Sequence, residues 1–243
     1  MKRRRVEWIY LDDVEYTFGI ELQRMLHEKV SRLGSGTAGF LLLVQHSSVI
    51  TVGRFGNNSN ILYPEEYLRE RGIVVYKTTR GGDVTFHGPG QLVGYPIINL
   101  RGFKLGIKSY VHLIEETIIE VLKYFGIVAV RREKYPGVWI GKEKIASIGI
   151  QVNKHTSMHG VALNVSNDLN NFSLIVPCGI NEGGVTSIEK LINGTVPLRQ
   201  VAHRLAKEFG MIFDAQIEEI IDFSRSSILR DEISTETVEK SLS

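Results

Sequence analysis

GVWIGKEKIASIGIQVNKHTSMHGVALNV, residues 137–165, is the stretch that decides the fold. It contains three apolar runs of strand length: GVWIG, KIASIGIQV and MHGVALNV. The polar turns GKEK (141–144) and NKHTS (153–157) separate them. Connections this short return the chain antiparallel to itself, because a parallel crossover needs a dozen residues or more. The reading is therefore of consecutive hairpins, with IVAVRR (127–132) as a further strand just upstream.

Outward from that core, strands and helices alternate irregularly. VEWIY (6–10) reads as a short strand. Asp12 is expected to open a helix, with Glu15 completing a capping box. Val14, Phe18, Leu22, Met25 and Lys29 follow at near-helical spacing until Gly34. FLLLVQH (40–46) and VITVGRF (49–55) read as two strands joined at Ser47 and Ser48. YPEEYLRERG (63–72) is a short helix with Pro64 in its first turn, and IVVYKTT (73–79) is a strand. Ser109 is expected to cap a helix whose apolar face is Ile114, Ile118, Val121, Leu122 and Phe125, stopped by Gly126. Two helices follow, SIEKLI (187–192) and LRQVAHRLAKEFG (198–210) started by Pro197, with IEEIIDF (217–223) as a last helix and a polar tail behind it. The pattern predicts an α+β fold: a single domain over 6–213 with a mixed, largely antiparallel sheet flanked by helices, then a C-terminal helix and tail over 214–243.

Composition limits the function classes. The 243 residues are 43% hydrophobic and 23% charged, ordinary for a globular chain with one sizeable core. A single cysteine excludes an internal disulfide and a thiolate-cluster metal site. The start, MKRRRVEWIYLDD, has a charged head but no apolar stretch of signal-peptide length, so a cytosolic, cytoplasmic location is expected. The net charge of +2 gives no strong polyanion signal; Lys2 to Arg5 and Arg131, Arg132 and Lys134 are solvated surface or a site for an acidic partner. GSGTAG (34–39) spells a dinucleotide motif but precedes a strand, the reverse of the required context. His155 and His159 have the spacing of a zinc helix but lie at a hairpin turn and lack the glutamate of that motif.

The chemically informative run is RGGDVTFHGPGQLVGYPI, Arg80 to Ile97. Glycines at this density allow a ligand or another backbone to approach closely, and Arg80, Thr85, His87 and Gln91 supply hydrogen-bonding groups around the approach. Read from chemistry alone, an elaborate hairpin with satisfied polar residues fits as well as a binding site does. Cys178, in IVPCGI (175–180), is equally open: a lone cysteine is either a small buried apolar group or a nucleophile.

The run resembles the signature of the lipoyl(octanoyl) transferases of the biotin/lipoate-protein ligase-like superfamily. That signature is R-G-G, two free positions, T, an aromatic, H, two free positions, G, Q, and Y four residues beyond. Arg80, Gly81, Gly82, Thr85, Phe86, His87, Gly90, Gln91 and Tyr95 meet it. YPGVWIGKEKIASIGIQV, MHGVALNV and VPCGI resemble the family's later blocks in order, and the likeness runs from about Ile9 to Phe213. The resemblance implies octanoyl transfer from octanoyl-acyl carrier protein to lipoyl domains of 2-oxoacid dehydrogenases and the glycine cleavage H protein, without a metal or bound coenzyme. It implies Lys144 and Cys178 as the catalytic pair, 34 residues apart. It implies substrate binding by Arg80, Gly81, Gly82, Asp83, Val84, Thr85, Phe86 and His87, by Ser147, Ile148 and Gly149, and by Gly160, Val161 and Ala162.

Chemistry fits such a pair. A thiolate attacks the donor thioester, and a lysine amine beside it accepts the thiol proton or stabilises the thiolate as an ammonium. An arginine would not serve, since it keeps its proton. Backbone N–H groups of Gly81, Gly82, Gly149 and Gly160 are candidate donors to the tetrahedral oxyanion. His87 is a candidate to orient the acyl carbonyl or to relay a proton, and Val84 or Phe86 a candidate to line the acyl slot. Two rivals stay open: an ATP-dependent lipoate or octanoate ligase, which needs no cysteine, and a non-catalytic module binding an acyl carrier or lipoyl domain.

Overall fold

The computed structural model describes residues 4–34, 38–176 and 183–221. Cys178 lies outside them. Numbered in chain order, eight strands form one mixed sheet in the order β11 (Ala215–Glu219), β1 (Arg4–Val14), β2 (Ala38–His46), β6 (Gln91–Ile98), β10 (Thr156–Asn164), β9 (Glu143–Asn153), β8 (Gly137–Ile140), β7 (Val130–Arg131). Within this sheet, among the described residues, β11–β1 and β1–β2 are the parallel pairs. The 137–165 stretch forms the two hairpins expected of it, with β8, β9 and β10 antiparallel neighbours. A smaller sheet runs β4 (Val74–Lys77), β3 (Val49–Val52), β5 (Val84–His87).

Both faces of the large sheet are covered, which explains the unbroken apolar run FLLLV in a central strand. Leu41 and Leu43 of β2 face a core built with α3 (Ile107–Tyr124) and α5 (Leu198–Ile212), through residues such as Ile118, Val121, Leu205 and Phe209. Phe40, Leu42 and Val44 point the other way, onto Leu22, Leu26 and Val30 of α1 (Tyr16–Arg32). The small sheet has its own core, where Ile50, Val52, Val84 and Phe86 meet Phe172 and Leu174, with Leu68 of α2 (Glu65–Arg69). The short α4 (Ile188–Ile192) is capped by Ser187. Among the described residues no helix is long and apolar enough to cross a membrane.

Several local expectations are corrected. β1 runs on through Asp12, and α1 begins only at Tyr16, after Glu15. Asp12 accepts from Tyr10 Oη at 3.1 Å and Gln45 Nε2 at 2.8 Å, so sheet pairing and these contacts outcompete the capping box. Gly106, not Ser109, stands at the N-terminus of α3. FLLLVQH and VITVGRF do form two strands joined at Ser47–Ser48, where the chain turns a corner and enters the other sheet. The final helix is not formed at Ala215–Glu219, which instead pairs with β1 and packs Ile217 against the core, a tertiary override of helical periodicity.

Candidate active site

The RGG turn is held by one buried guanidinium. Arg80 Nε and Nη2 donate to Thr51 Oγ1 at 3.1 and 2.8 Å, and Nη2 also donates to the carbonyls of Thr51 and Asp83 at 2.6 and 2.7 Å. Arg80 Nη1 donates to the Gly81 carbonyl at 3.0 Å. The planar fork thus ties the turn to β3, which a point-charge ammonium would not do. Gly82 has φ +85°, where an L side chain is strained. Gly149 lies so close beneath the turn that an added Cβ would sit 2.8 Å from the Gly81 oxygen and 3.2 Å from Arg80 Cδ.

Between the two sheets and α1 lies a small pocket of about 40 Å³ that opens to solvent. Arg80, Gly82, Thr85, His87, Ser147, Ile148, Gly149, Gly160, Val161 and Ala162 line it, together with Tyr16, Val93, Tyr95 and His159. Alternation along β5 decides which signature residues reach it. Thr85 and His87 face the pocket, while Val84 and Phe86 point into the small-sheet core, Phe86 at 5.9 Å from the Phe172 ring. Val84 and Phe86, expected as candidates to line an acyl slot, therefore do not reach this pocket, whose apolar wall is Val93, Val161 and Ala162. Asp83 also lies off the pocket, its carboxylate accepting from Asn57 N–H at 3.0 Å and Asn60 Nδ2 at 2.5 Å. Gly81 donates its N–H to the Ile150 carbonyl at 2.9 Å, so it is not an oxyanion donor.

The polar wall is a connected network whose tautomers follow from its partners. Gln91 Nε2 donates to the Phe86 carbonyl at 3.3 Å and to Asn164 Oδ1 at 2.9 Å. Its oxygen therefore faces His87 Nδ1 at 2.7 Å, which must carry the proton. Burial, then the charge environment of His46 and Arg80, pushes the His87 pKa down to about 3, so the ring is neutral and Nε2 accepts from Thr51 Oγ1 at 3.4 Å. His46 is held alike: burial lowers its pKa to about 4, Nδ1 donates to the Val14 carbonyl and Nε2 accepts from Tyr95 Oη, both at 2.7 Å. Burial also raises the Tyr16 and Tyr95 pKa values, keeping both phenols protonated. With both nitrogens of His87 engaged, it serves as a spine of the pocket.

Lys144 is not among the residues lining this pocket; an irregularity in β9 decides which side of the sheet it takes. In the β8–β9 ladder Val138 pairs with Ala146 but Trp139 pairs with Lys144, leaving Ile145 as an extra residue, a β-bulge. Ala146, Ile148, Ile150 and Val152 pack on the α3/α5 core, whereas Ser147 and Gly149 face the pocket side. A regular strand would put Lys144 with Ala146 in that core, since residues two apart share a face. The bulge sends Ile145 and Ala146 into the core together and turns Lys144 to the face of Ser147. Lys144 is 8% exposed, with its Nζ 5.0 Å from the Trp139 ring centroid. Its backbone donates to the Gly184 carbonyl at 2.8 Å and accepts from Thr186 N–H at 3.0 Å. The Thr186 carbonyl in turn accepts from Asn164 Nδ2 at 3.0 Å, which joins the lysine strand to the Arg80–His87–Gln91 network.

Residues 15–210 match the family model described as the lipoyl protein ligase A/B catalytic domain. Among curated relatives, the octanoyltransferase of Caldicellulosiruptor saccharolyticus is 49% identical over 85% of this chain and 88% of its own. The octanoyltransferase of Caldanaerobacter subterraneus subsp. tengcongensis is 44% identical over 93% of this chain and 97% of its own. The chain belongs to the lipoyl protein ligase A/B family. Its fold is that of a T. acidophilum protein described as a putative lipoate protein ligase, with bound lipoic acid: TM-score 0.70 at 18% identity, covering 93% of this chain and 94% of that one. Lipoate-protein ligase A bound with ATP has TM-score 0.67 at 17% identity, covering 94% and 93%.

Four residues that line the pocket of this family member are not singled out for it by the sequence. Tyr95 meets the signature, but nothing local gives it a place in the site. His159 reads only as a possible metal ligand; its ring lines the pocket with Nε2 3.2 Å from Thr79 Oγ1. Burial and then Arg80 lower its pKa to about 3. Among the described residues no cluster suits a metal. Tyr16 and Val93 carry no local signal at all.

Proposed function

We propose that this chain is an acyltransferase of protein lipoylation that moves an octanoyl group from octanoyl-acyl carrier protein to a lysine amine of a lipoyl domain, through a thioester on Cys178. In the first step the Cys178 thiolate attacks the donor carbonyl, the carrier's thiolate leaves, and a proton returns to it. In the second, the acceptor amine attacks the new thioester, the Cys178 thiolate leaves, and the amine's surplus proton passes to a base. Lys144 holds the thiol proton as an ammonium beside the thiolate and later takes the amine proton. The network of Arg80, Thr85 and His87 on one side and Ser147 to Gly149 and Gly160 to Ala162 on the other cradles the acyl group. The reaction belongs in the cytosol, and lipoyl domains of 2-oxoacid dehydrogenases and the glycine cleavage H protein are the acceptors.

The observation that carries this reading is the bulge that turns Lys144 to the pocket face, with the chain resuming beside it at Gly183 and Gly184. Four residues separate Cys178 from Gly183 in the sequence. The names of relatives above 40% identity support octanoyl transfer. The test is intact mass spectrometry after incubation with octanoyl-acyl carrier protein. An added octanoyl mass should appear, be released by hydroxylamine, be absent from Cys178→Ala, and form far more slowly in Lys144→Ala. Modification of a lipoyl domain by octanoate and ATP without the carrier would instead establish a ligase.

A further inference from the structure

We propose that Trp139 is a positioning residue for the reaction, its indole face holding Lys144 as an ammonium on the pocket side of the sheet. The proposal rests on the assignment of Lys144 above and on four features around it. Trp139 is the direct cross-strand partner of Lys144 across the bulge, so the two side chains share a face. The ammonium nitrogen is 5.0 Å from the ring centroid, inside the range of cation–π attraction. The ring is 2% exposed and cannot swing away: Nε1–H donates to the Tyr135 carbonyl at 3.2 Å, and the Arg132 guanidinium covers the ring at 4.4 Å. On the lysine's stem, Gly137 leaves room that no other residue would, since an added Cβ would meet Lys144 Cε at 2.9 Å. The Gly137 N–H is itself fixed by Glu115 Oε1 at 3.0 Å, a carboxylate 4% exposed and paired with Arg131.

The physical need is plain. Burial favours the neutral form of any amine, and an amine that gives up its proton beside the sulfur leaves a thiol there. The negative face of the indole favours the ammonium and, unlike a carboxylate, does not compete with the thiolate for its hydrogens. Trp139 touches neither substrate nor sulfur in this scheme; it acts through Lys144.

Tryptophan fluorination weakens the ring's attraction for a cation while nearly preserving its shape, so folding is spared. The chain has two tryptophans, Trp8 and Trp139, and a Trp139→Phe chain labelled in parallel isolates the contribution of Trp8. Two quantities are read: acetylation of Lys144 by acetic anhydride, followed by peptide mass spectrometry, and the steady-state kcat and KM for octanoyl transfer. With each added fluorine, Lys144 labelling should rise and kcat should fall, by about 2- to 30-fold across the series, with KM for the donor unchanged. The Trp139→Phe chain should show no such slope. Labelling independent of fluorination, or an equal slope in Trp139→Phe, overturns the proposal. Labelling that rises in a protein that never acquires an octanoyl adduct overturns the catalytic role together with the reading of Lys144, while the contact itself stands.

Discussion

Gln91→Glu is an isosteric change at the centre of the polar network, and its cost can be worked from the bonds. Gln91 is 1% exposed, and its Nε2 supplies the hydrogens for the Phe86 carbonyl and Asn164 Oδ1. A carboxylate supplies neither, so two acceptors lose a donor and face a buried negative charge. Each such loss is worth about 1–3 kcal/mol. Asn164 Oδ1 keeps Asn167 Nδ2 at 3.2 Å, which places the total near the lower half, about 3 kcal/mol. For a domain of this size that is a fall in Tm of roughly 6–12 °C. Burial raises the folded pKa of the introduced carboxyl above its unfolded value of about 4.3. The protonated acid retains one O–H donor, so its stability is fully present below about pH 4.3 and is lost as pH rises through the folded value. The gap between variant and parent, followed by thermal denaturation, should therefore be wider at pH 8 than at pH 5.5. A variant within about 2 °C of the parent at pH 8, or an equal gap at both pH values, would refute the donor assignment of Gln91.

Other outcomes follow from the same geometry. His46, His87 and His159 have folded pKa values of about 4, 3 and 3, all depressed, so stability is present above their unfolded value of about 6.5 and lost as pH falls towards the folded ones. Each should withdraw about 1.4 kcal/mol by pH 5.5, and a Tm that stays flat between pH 7.5 and 5.5 would contradict their neutral burial. Arg80→Lys cannot span Thr51, Gly81 and Asp83 together; chemical denaturation should show about 2–4 kcal/mol lost, with activity down with it. Gly149→Ala should push the RGG turn off β9 and lower kcat/KM at least about tenfold, measured by octanoyl transfer, while costing only about 1–3 kcal/mol of stability.

The hairpins of 137–165 and the strand at FLLLV were legible in the chain because turn chemistry and apolar run length are local properties. The chemistry of 80–91 was legible only as a choice between a satisfied hairpin and a binding loop; its glycines and hydrogen-bonding groups sit within a dozen residues of one another, and Arg80, Gly82, Thr85 and His87 line the pocket. Which side of a strand a residue takes was not legible where register breaks. Local pattern gave Val84 and Phe86 the same claim as Thr85 and His87, and only packing between the two sheets separated them. Nothing near Asp12 or IEEIIDF foretold that pairing with distant strands would override a helix. Tyr16, from a helix more than sixty residues before Arg80, enters the pocket only because α1 lies across the same sheet. Above all, the single extra residue at Ile145 moves Lys144 from the core side of the sheet to the side of Ser147, and a bulge exists only in the pairing of two strands, never in either one alone.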